Sequence, residues 1–265
     1  LPLAIVGLLA TLPYAHTASA AGFYIQEQSV SGLGAAFSGS VTNLNDPSTI
    51  YYNPAGMTKL SGTQFQAATH ILLPKAEITN NGSTSPGRAS FISGGNGGNP
   101  YEPTAIPNAF ISAEFDNDLW GGIGVSAPFG LANEYDRDWF GRYDSIKSEL
   151  TVIDIQPTLA YKVSDWLPVG AAENIQYHDA ELTSAGFAGV TEGIRKLEGS
   201  SIDKGYTVGV QIKPRPDTTL GASYRSHVRH NLKGEISLVG SGNADFRAKA
   251  NADLNLPDIA TFGAA

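Results

Sequence analysis

The 265-residue sequence has no cysteine, a single methionine and only 16% charged residues. Without cysteine there can be no disulfide scaffold, no thiolate zinc site and no cysteine nucleophile, and exported bacterial proteins commonly lack it. So little charge excludes a charged disordered tail or a coiled coil. The charge that remains is acidic, 25 Asp and Glu against 17 Lys and Arg for a net of -8. There is therefore no basic footprint for nucleic acid, and phosphate binding is disfavoured on the same ground. Beyond Ala15 no apolar run is long enough for a membrane-spanning helix. If the chain lives in a membrane, it does so as a β-barrel.

The apolar stretch Leu1 to Leu12, followed by Ala18-Ser19-Ala20, reads as a signal peptide over residues 1–20 with cleavage after Ala20. No basic segment precedes Leu1, so the sequence is expected to start inside that signal. From Ala21 to Leu60 it is rich in Gly, Ser and Asn with no sustained period, which predicts a compact unit of short helical turns and loops.

From residue 61 the period changes to two. Thr63 to Pro74 alternates, as do Pro107 to Phe115, Leu119 to Ala127, Thr151 to Val163, Val169 to Tyr177, Tyr206 to Lys213 and Leu220 to Leu232. In the fourth segment Ile153, Ile155, Leu159 and Tyr161 oppose Asp154, Gln156, Thr158 and Lys162. A further strand starts near Pro257. The connections alternate in length. Asp116 to Asp118, Ser164-Asp165 and Pro214 to Asp217 are tight turns, whereas Glu77 to Thr104, Phe129 to Glu149, Leu182 to Ser200 and Ser237 to Leu256 read as long loops. Short turns on one rim and long loops on the other are the pattern of an outer-membrane barrel. Phe115, Trp120, Trp139, Phe140, Tyr143, Tyr161, Trp166 and Tyr206 near strand ends suit its aromatic girdles. Glu173 breaks the pattern, since alternation puts it on the greasy face; either a bulge near Pro168 shifts the register or the carboxyl is protonated.

Motifs for catalysis are missing. Gly32-x-Gly34 follows no strand and is no dinucleotide fingerprint, and there is no GxSxG, HExxH or Walker loop. His227 and His230, three apart on a strand, point to opposite faces and make a poor metal pair. The expectation is a protein that is no enzyme and carries neither metal nor cofactor.

Ala21-Gly22-Phe23, Ser31 to Gly39 (SGLGAAFSG) and Asn53-Pro54-Ala55-Gly56-Met57, with Ala127-Pro128-Phe129-Gly130-Leu131 and Tyr224-Arg225-Ser226 further on, together resemble the long-chain fatty acid transporter family of Gram-negative outer membranes, the FadL type that includes toluene-type hydrocarbon channels. The match runs over essentially the whole chain. It implies an all-β transmembrane antiparallel barrel of about fourteen strands when complete, with residues 21–60 as a hatch in the lumen and 61–265 as a partial barrel of about eight strands, the C-terminal strands being absent. It further implies a hydrophobic small-molecule ligand, contact with outer-membrane lipid and lipopolysaccharide, insertion by the barrel-assembly machinery, and a monomer.

The resemblance places the first hatch residues against the ligand, which makes Phe23 and Ile25 candidates for a moving pocket lining beside the apolar Leu33 and Phe37. Asn53, Pro54 and Ala55 are expected to pack on an inward kink of the third strand at Gly121, Gly122 and Gly124, opening the wall sideways. Arg225, His227 and Arg229 are read as sharing one lumen face. They either hold a carboxylate head group or pair with Asp154, Glu114 or Asp179 in the lumen, which needs no ligand. The alternatives to a hydrophobic-compound channel are a general porin for polar solutes and a structural or adhesive barrel.

Overall fold

The computed structural model describes residues 22–83, 93–188, 191–240 and 245–265. The signal peptide expected over residues 1–20 lies outside these.

Four short pieces precede the sheet. An extended segment, Phe23 to Gln28, leads into α1 (Val30–Gly34), whose first turn is capped by Ser29 Oγ accepting from the Gly32 amide at 3.0 Å. Then follow α2 (Thr49–Tyr52) and a 3₁₀ helix (Pro54–Lys59). The latter starts where Asn53 Oδ1 accepts from the Ala55 amide at 3.1 Å and Pro54 fills the position that has no donor to lose. Ile50, Tyr51, Tyr52 and Met57 are buried against Phe110, Trp120 and Ala160 of the sheet.

Among the described residues ten strands form one sheet: β1 (Thr63–Leu72), β2 (Thr104–Glu114), β3 (Leu119–Glu134), β4 (Lys147–Ser164), β5 (Leu167–Ala188), β6 (Thr191–Arg215), β7 (Thr218–Arg225), β8 (Val228–Val239), β9 (Phe246–Leu256) and β10 (Ile259–Ala264). Every neighbour is antiparallel, and β1 to β7 follow in sequence order. β7 and β8 are two halves of one broken strand, because β6 pairs with β7 through Thr207 to Arg215 and with β8 through Ile194 to Ser200. β9 and β10 are likewise halves, pairing with β8 and β7. The breaks fall at Ser226-His227 and at Pro257-Asp258, where proline offers the ladder no donor. Among the described residues the sheet does not close on itself.

Two expected loops are strand. Leu182 to Ser200 is the far end of the β5–β6 hairpin, and most of Ser237 to Leu256 is the end of β8 and β9. There Lys196 pairs with Glu181 at 3.0 Å and with Glu198 at 2.5 Å, and Lys147 with Glu181 at 3.3 Å. Charged side chains take one face of these strand ends, and the other mixes Leu182 and Leu197 with serine and glycine, so neither face shows an apolar period of two.

The polarity of the sheet is inside out. On β4, Asp154 (0% exposed) and Gln156 (1%) are buried while Leu159 (58%) and Tyr161 (50%) are exposed. Asn174, Gln176, His178 and Gln211 are buried in the same way on β5 and β6. Water would not leave such a face open, but hydrocarbon would. Phe115, Tyr161, Trp166 and Tyr206 look outward as girdle residues should. Trp120 and Trp139 do not: both are buried, their indole N–H groups donating to Leu60 O at 2.8 Å and Ser145 O at 2.7 Å.

Glu173 does sit on the outward face, and its register is unshifted, opposite Tyr206. Its carboxylate is held by Lys204 Nζ of the next strand at 2.8 Å. Glu173→Gln strands that ammonium on the lipid side and is expected to lower unfolding stability by up to ~2–4 kcal/mol, with the Glu173→Leu/Lys204→Leu double variant restoring it. Urea unfolding of the full-length barrel in vesicles measures both; a single variant as stable as the parent would place the pair in water.

Candidate functional site

β2 and β3 run paired only from Ala109↔Val125 to Glu114↔Trp120. Above that point β2 keeps β1 and β3 keeps β4, but among the described residues they no longer pair with each other. The separation coincides with a bulge in β3: Ser126 pairs with Asp154 and Phe129 with Val152, so three steps on β3 match two on β4. An open depression of about 550 Å³ on the outward face, bordered by Ala67, Thr69, Pro107, Ala109 and Val125, lies at this place.

The N-terminal segment fills the β3 edge that β2 leaves. The Ile25 amide donates to Pro128 O at 2.8 Å and the Gly130 amide to Phe23 O at 3.0 Å. Gln28 clasps the bulge with both ends of its amide, donating to Ala127 O at 2.9 Å and accepting from the Ala127 amide at 3.2 Å. Tyr52 holds the segment from the hatch side, its hydroxyl donating to Gln26 O at 2.7 Å and accepting from the Gln28 amide at 3.1 Å. Burial pushes the Tyr52 phenol up, so it stays a neutral hydroxyl able to do both.

Phe23 packs edge-on against Phe129, ring centroids 5.9 Å apart. With Val152, Leu254, Leu256 and Ile259 they form an apolar cluster inside the curl of the sheet. Beside it runs a polar network. Arg225 Nη1 donates to Asp154 Oδ2 at 2.5 Å and Nη2 to Gln156 Oε1 at 3.1 Å, while the guanidinium lies 4.4 Å from the Tyr51 ring centre. Asn174 donates to the same Asp154 oxygen at 2.9 Å and accepts from Thr207 at 2.7 Å.

The structure therefore rearranges several expected site residues. Phe23 and Ile25 do line the bulged strand. Phe37 packs instead on Tyr52 at 5.8 Å, and Leu33 is exposed (47%), away from that cluster. The kink is not at Gly121, Gly122 and Gly124, where pairing to β2 and β4 is continuous, but further along the strand at Ala127-Pro128. Gly122 and Gly124 admit Ile50 of the hatch to the wall, and Gly121 lies under the outward Phe115 ring.

Asn53, Pro54 and Ala55 seat on β5 to β7 instead of β3. Asn53 Nδ2 donates to Val41 O at 2.8 Å and Val210 O at 3.1 Å, while Pro54 and Ala55 abut Gly170 and Gly209. Arg225, His227 and Arg229 do not share a face. The break at Ser226 inserts a residue, so Arg225 points in, and His227 points out to Asp258 at 3.2 Å with Arg229 exposed beside it. Of the three, Arg225 alone reaches the lumen network, through Asp154. The apolar partners Phe129, Val152, Leu254 and Leu256 escaped sequence reasoning, although Phe129 stands inside the quoted APFGL motif.

The family model described as outer membrane protein transport protein (OMPP1/FadL/TodX) matches residues 11–265. The chain belongs to this family. As a FadL/TodX-family chain with this inverted sheet, it is a protein of the bacterial outer membrane. The long-chain fatty acid transport protein of Escherichia coli O6:H1 is 24% identical to it over 89% of this chain and 54% of its own length. The crystal structure of a Pseudomonas aeruginosa FadL homologue superposes with a TM-score of 0.75 at 21% identity, covering 91% of this chain and 65% of that one. The Pseudomonas putida toluene transporter TodX gives 0.59 at 17%, covering 85% and 63%. These structures share the fold. The chain spans about half the length of the curated relatives it matches.

Proposed function

We propose that the complete protein is a passive channel that takes hydrophobic compounds, long-chain fatty acids or aromatic hydrocarbons, across the outer membrane by binding them in the lumen and releasing them sideways. The observation that carries this reading is the parting of β2 from β3 with the N-terminal segment latched to the exposed edge. An unpaired edge facing hydrocarbon is costly unless something satisfies it. Residues 23–28 satisfy part of it, so moving them uncovers an exit. The apolar cluster that includes Phe23 supplies the binding energy, about 0.8 kcal/mol for each buried methylene. No reaction is required. The names of the Escherichia coli and Pseudomonas putida proteins support the two ligand classes.

In this reading Phe23 and Ile25 are the gate, and Asn53, Pro54 and Ala55 anchor the hatch while it moves. The outward apolar face meets lipid and lipopolysaccharide and is inserted by the barrel-assembly machinery, and one chain makes one pore. Deleting Ala127 removes the extra residue of the bulge and lets β3 run on beside β2. Uptake of radiolabelled oleate and toluene by cells carrying the deletion in the full-length protein is expected to fall to background, while heat-shifted gel mobility shows the barrel still assembled. Undiminished uptake would sink the lateral route.

A further inference from the structure

Two imidazoles lie buried in the lumen, outside the Arg225 network. His178 on β5 is 0% exposed and His230 on β8 is 1% exposed, their rings edge to face with centroids 4.9 Å apart. They are not equivalent. His230 Nδ1 lies 3.1 Å from Asp203 Oδ2 and 3.1 Å from Ser201 Oγ, and its Nε2 lies 3.2 Å from Gln176 Oε1. These partners are reachable because the ladder beside β6 is interrupted between Ser200↔Lys233 and Thr207↔Arg225. Neither ring nitrogen of His178 has a partner among the described residues.

An imidazole without partners in such a place is expensive, since a buried polar group left unsatisfied costs the full loss of its hydration. Its surroundings say what would satisfy it. His178 stands directly across from Val152, a member of the apolar cluster that holds Phe23, and His230 directly across from Leu254, another member. The pair thus forms a polar floor between two sides of a greasy cluster. A neutral imidazole presents one donor and one acceptor. Among the described residues no Lys or Arg is paired with either imidazole, while Asp203 stands behind His230, so an anionic head group has no counter-charge there.

We infer that His178 is a specificity-determining residue that hydrogen-bonds a neutral polar group, a hydroxyl above all, on an otherwise apolar ligand seated against Phe23 and Val152. This deepens the proposed function and rests on it. The channel would then favour hydroxylated hydrocarbons, alcohols and phenols, over the bare hydrocarbons of the same shape.

The test compares p-cresol with toluene, which differ by one hydroxyl, binding to full-length protein in nanodiscs by calorimetry. Wild type is expected to bind p-cresol roughly fivefold more tightly, the worth of one net hydrogen bond. His178→Phe should abolish that preference, bringing the ratio of the two affinities to about one, and His178→Gln, which keeps a donor and an acceptor, should retain it. Heat-shifted gel mobility checks that each variant is folded, and if His178→Phe does not fold, the comparison of wild type with His178→Gln and His178→Leu decides. Equal affinities in wild type, or a preference that survives loss of the imidazole, would overturn this inference alone and leave a water molecule as the partner. Binding of oleate but of neither aromatic would likewise overturn this inference alone, and failure of wild type to bind p-cresol, toluene and oleate alike would overturn the proposed function with it.

Discussion

Replacing Arg225 with Leu is expected to destabilise the full-length protein by about 3–5 kcal/mol, the usual result of removing one partner from a buried ion pair. Asp154 is completely buried and Arg225 nearly so, with 7% of its side chain exposed. Without the guanidinium, the carboxylate keeps only the Asn174 amide on Oδ2, and Oδ1 already has no partner among the described residues. The damage reaches the hatch, because Arg225 lies against the Tyr51 ring and donates to Tyr51 O at 3.4 Å.

Arg225→Lys should recover only part of the loss, since an ammonium cannot serve Asp154 and Gln156 in a planar fork. The double variant Arg225→Leu/Asp154→Leu should recover most of it, because no charge is left buried. Urea unfolding of protein refolded into vesicles, followed by tryptophan fluorescence, reads all three. A single Arg225→Leu variant within about 1 kcal/mol of wild type would show that water reaches the pair.

Gly209→Val should unseat the hatch. A β-carbon at 209 would lie 2.0 Å from Asn53 Oδ1 and 3.0 Å from Pro54 Cδ, and on the neighbouring strand one at Gly170 would lie 2.6 Å from the Ala55 amide nitrogen. At Gly209 the crowded atoms belong to a proline ring and to the Asn53 side chain, which is pinned by its own hydrogen bonds, so the clash cannot relax without giving those bonds up. Asn53 would lose its bonds to Val41 and Val210, each worth about 1 kcal/mol.

The strands themselves are untouched, because residue 209 faces the lumen and its ladder partners Gly170 and Ser223 remain. The variant is therefore expected to assemble, to conduct small ions in planar bilayers several-fold more than wild type, and to expose residues 23–60 to added protease. A folded variant that conducts like wild type would mean that the Asn53-Pro54-Ala55 seat does not hold the plug.

Much of the wall was readable in the linear pattern because hydrocarbon imposes a period of two on any strand it touches. Ile153, Ile155, Leu159 and Tyr161 announced the outward face of β4, and Asp154 and Gln156 the inward one. The same logic failed where hydrocarbon was absent: Glu181, Lys196 and Glu198 lie in strands that look like loops because charge pairs took the place of greasy side chains. It failed again at Ser226, where one inserted residue reversed the parity and turned His227 and Arg229 away from the lumen. A glycine run suggested a kink in β3, but glycine marks close approach as readily as bending, and here it makes room for Ile50 and the Phe115 ring.

What the chain carries in its order of residues is the local vocabulary: which segments alternate, which turns are tight, where Asn53 and Pro54 start a helical turn, and the motifs of its family. Folding in three dimensions decided the rest, because the site is assembled from parts far apart in sequence. Phe23 meets Phe129 and Leu256, Asn53 reaches the carbonyl of Val210, and Arg225 finds Asp154. Such meetings depend on register, on a one-residue bulge and on two strand breaks, each of which shifts side chains by a face or a step, and no periodicity records them.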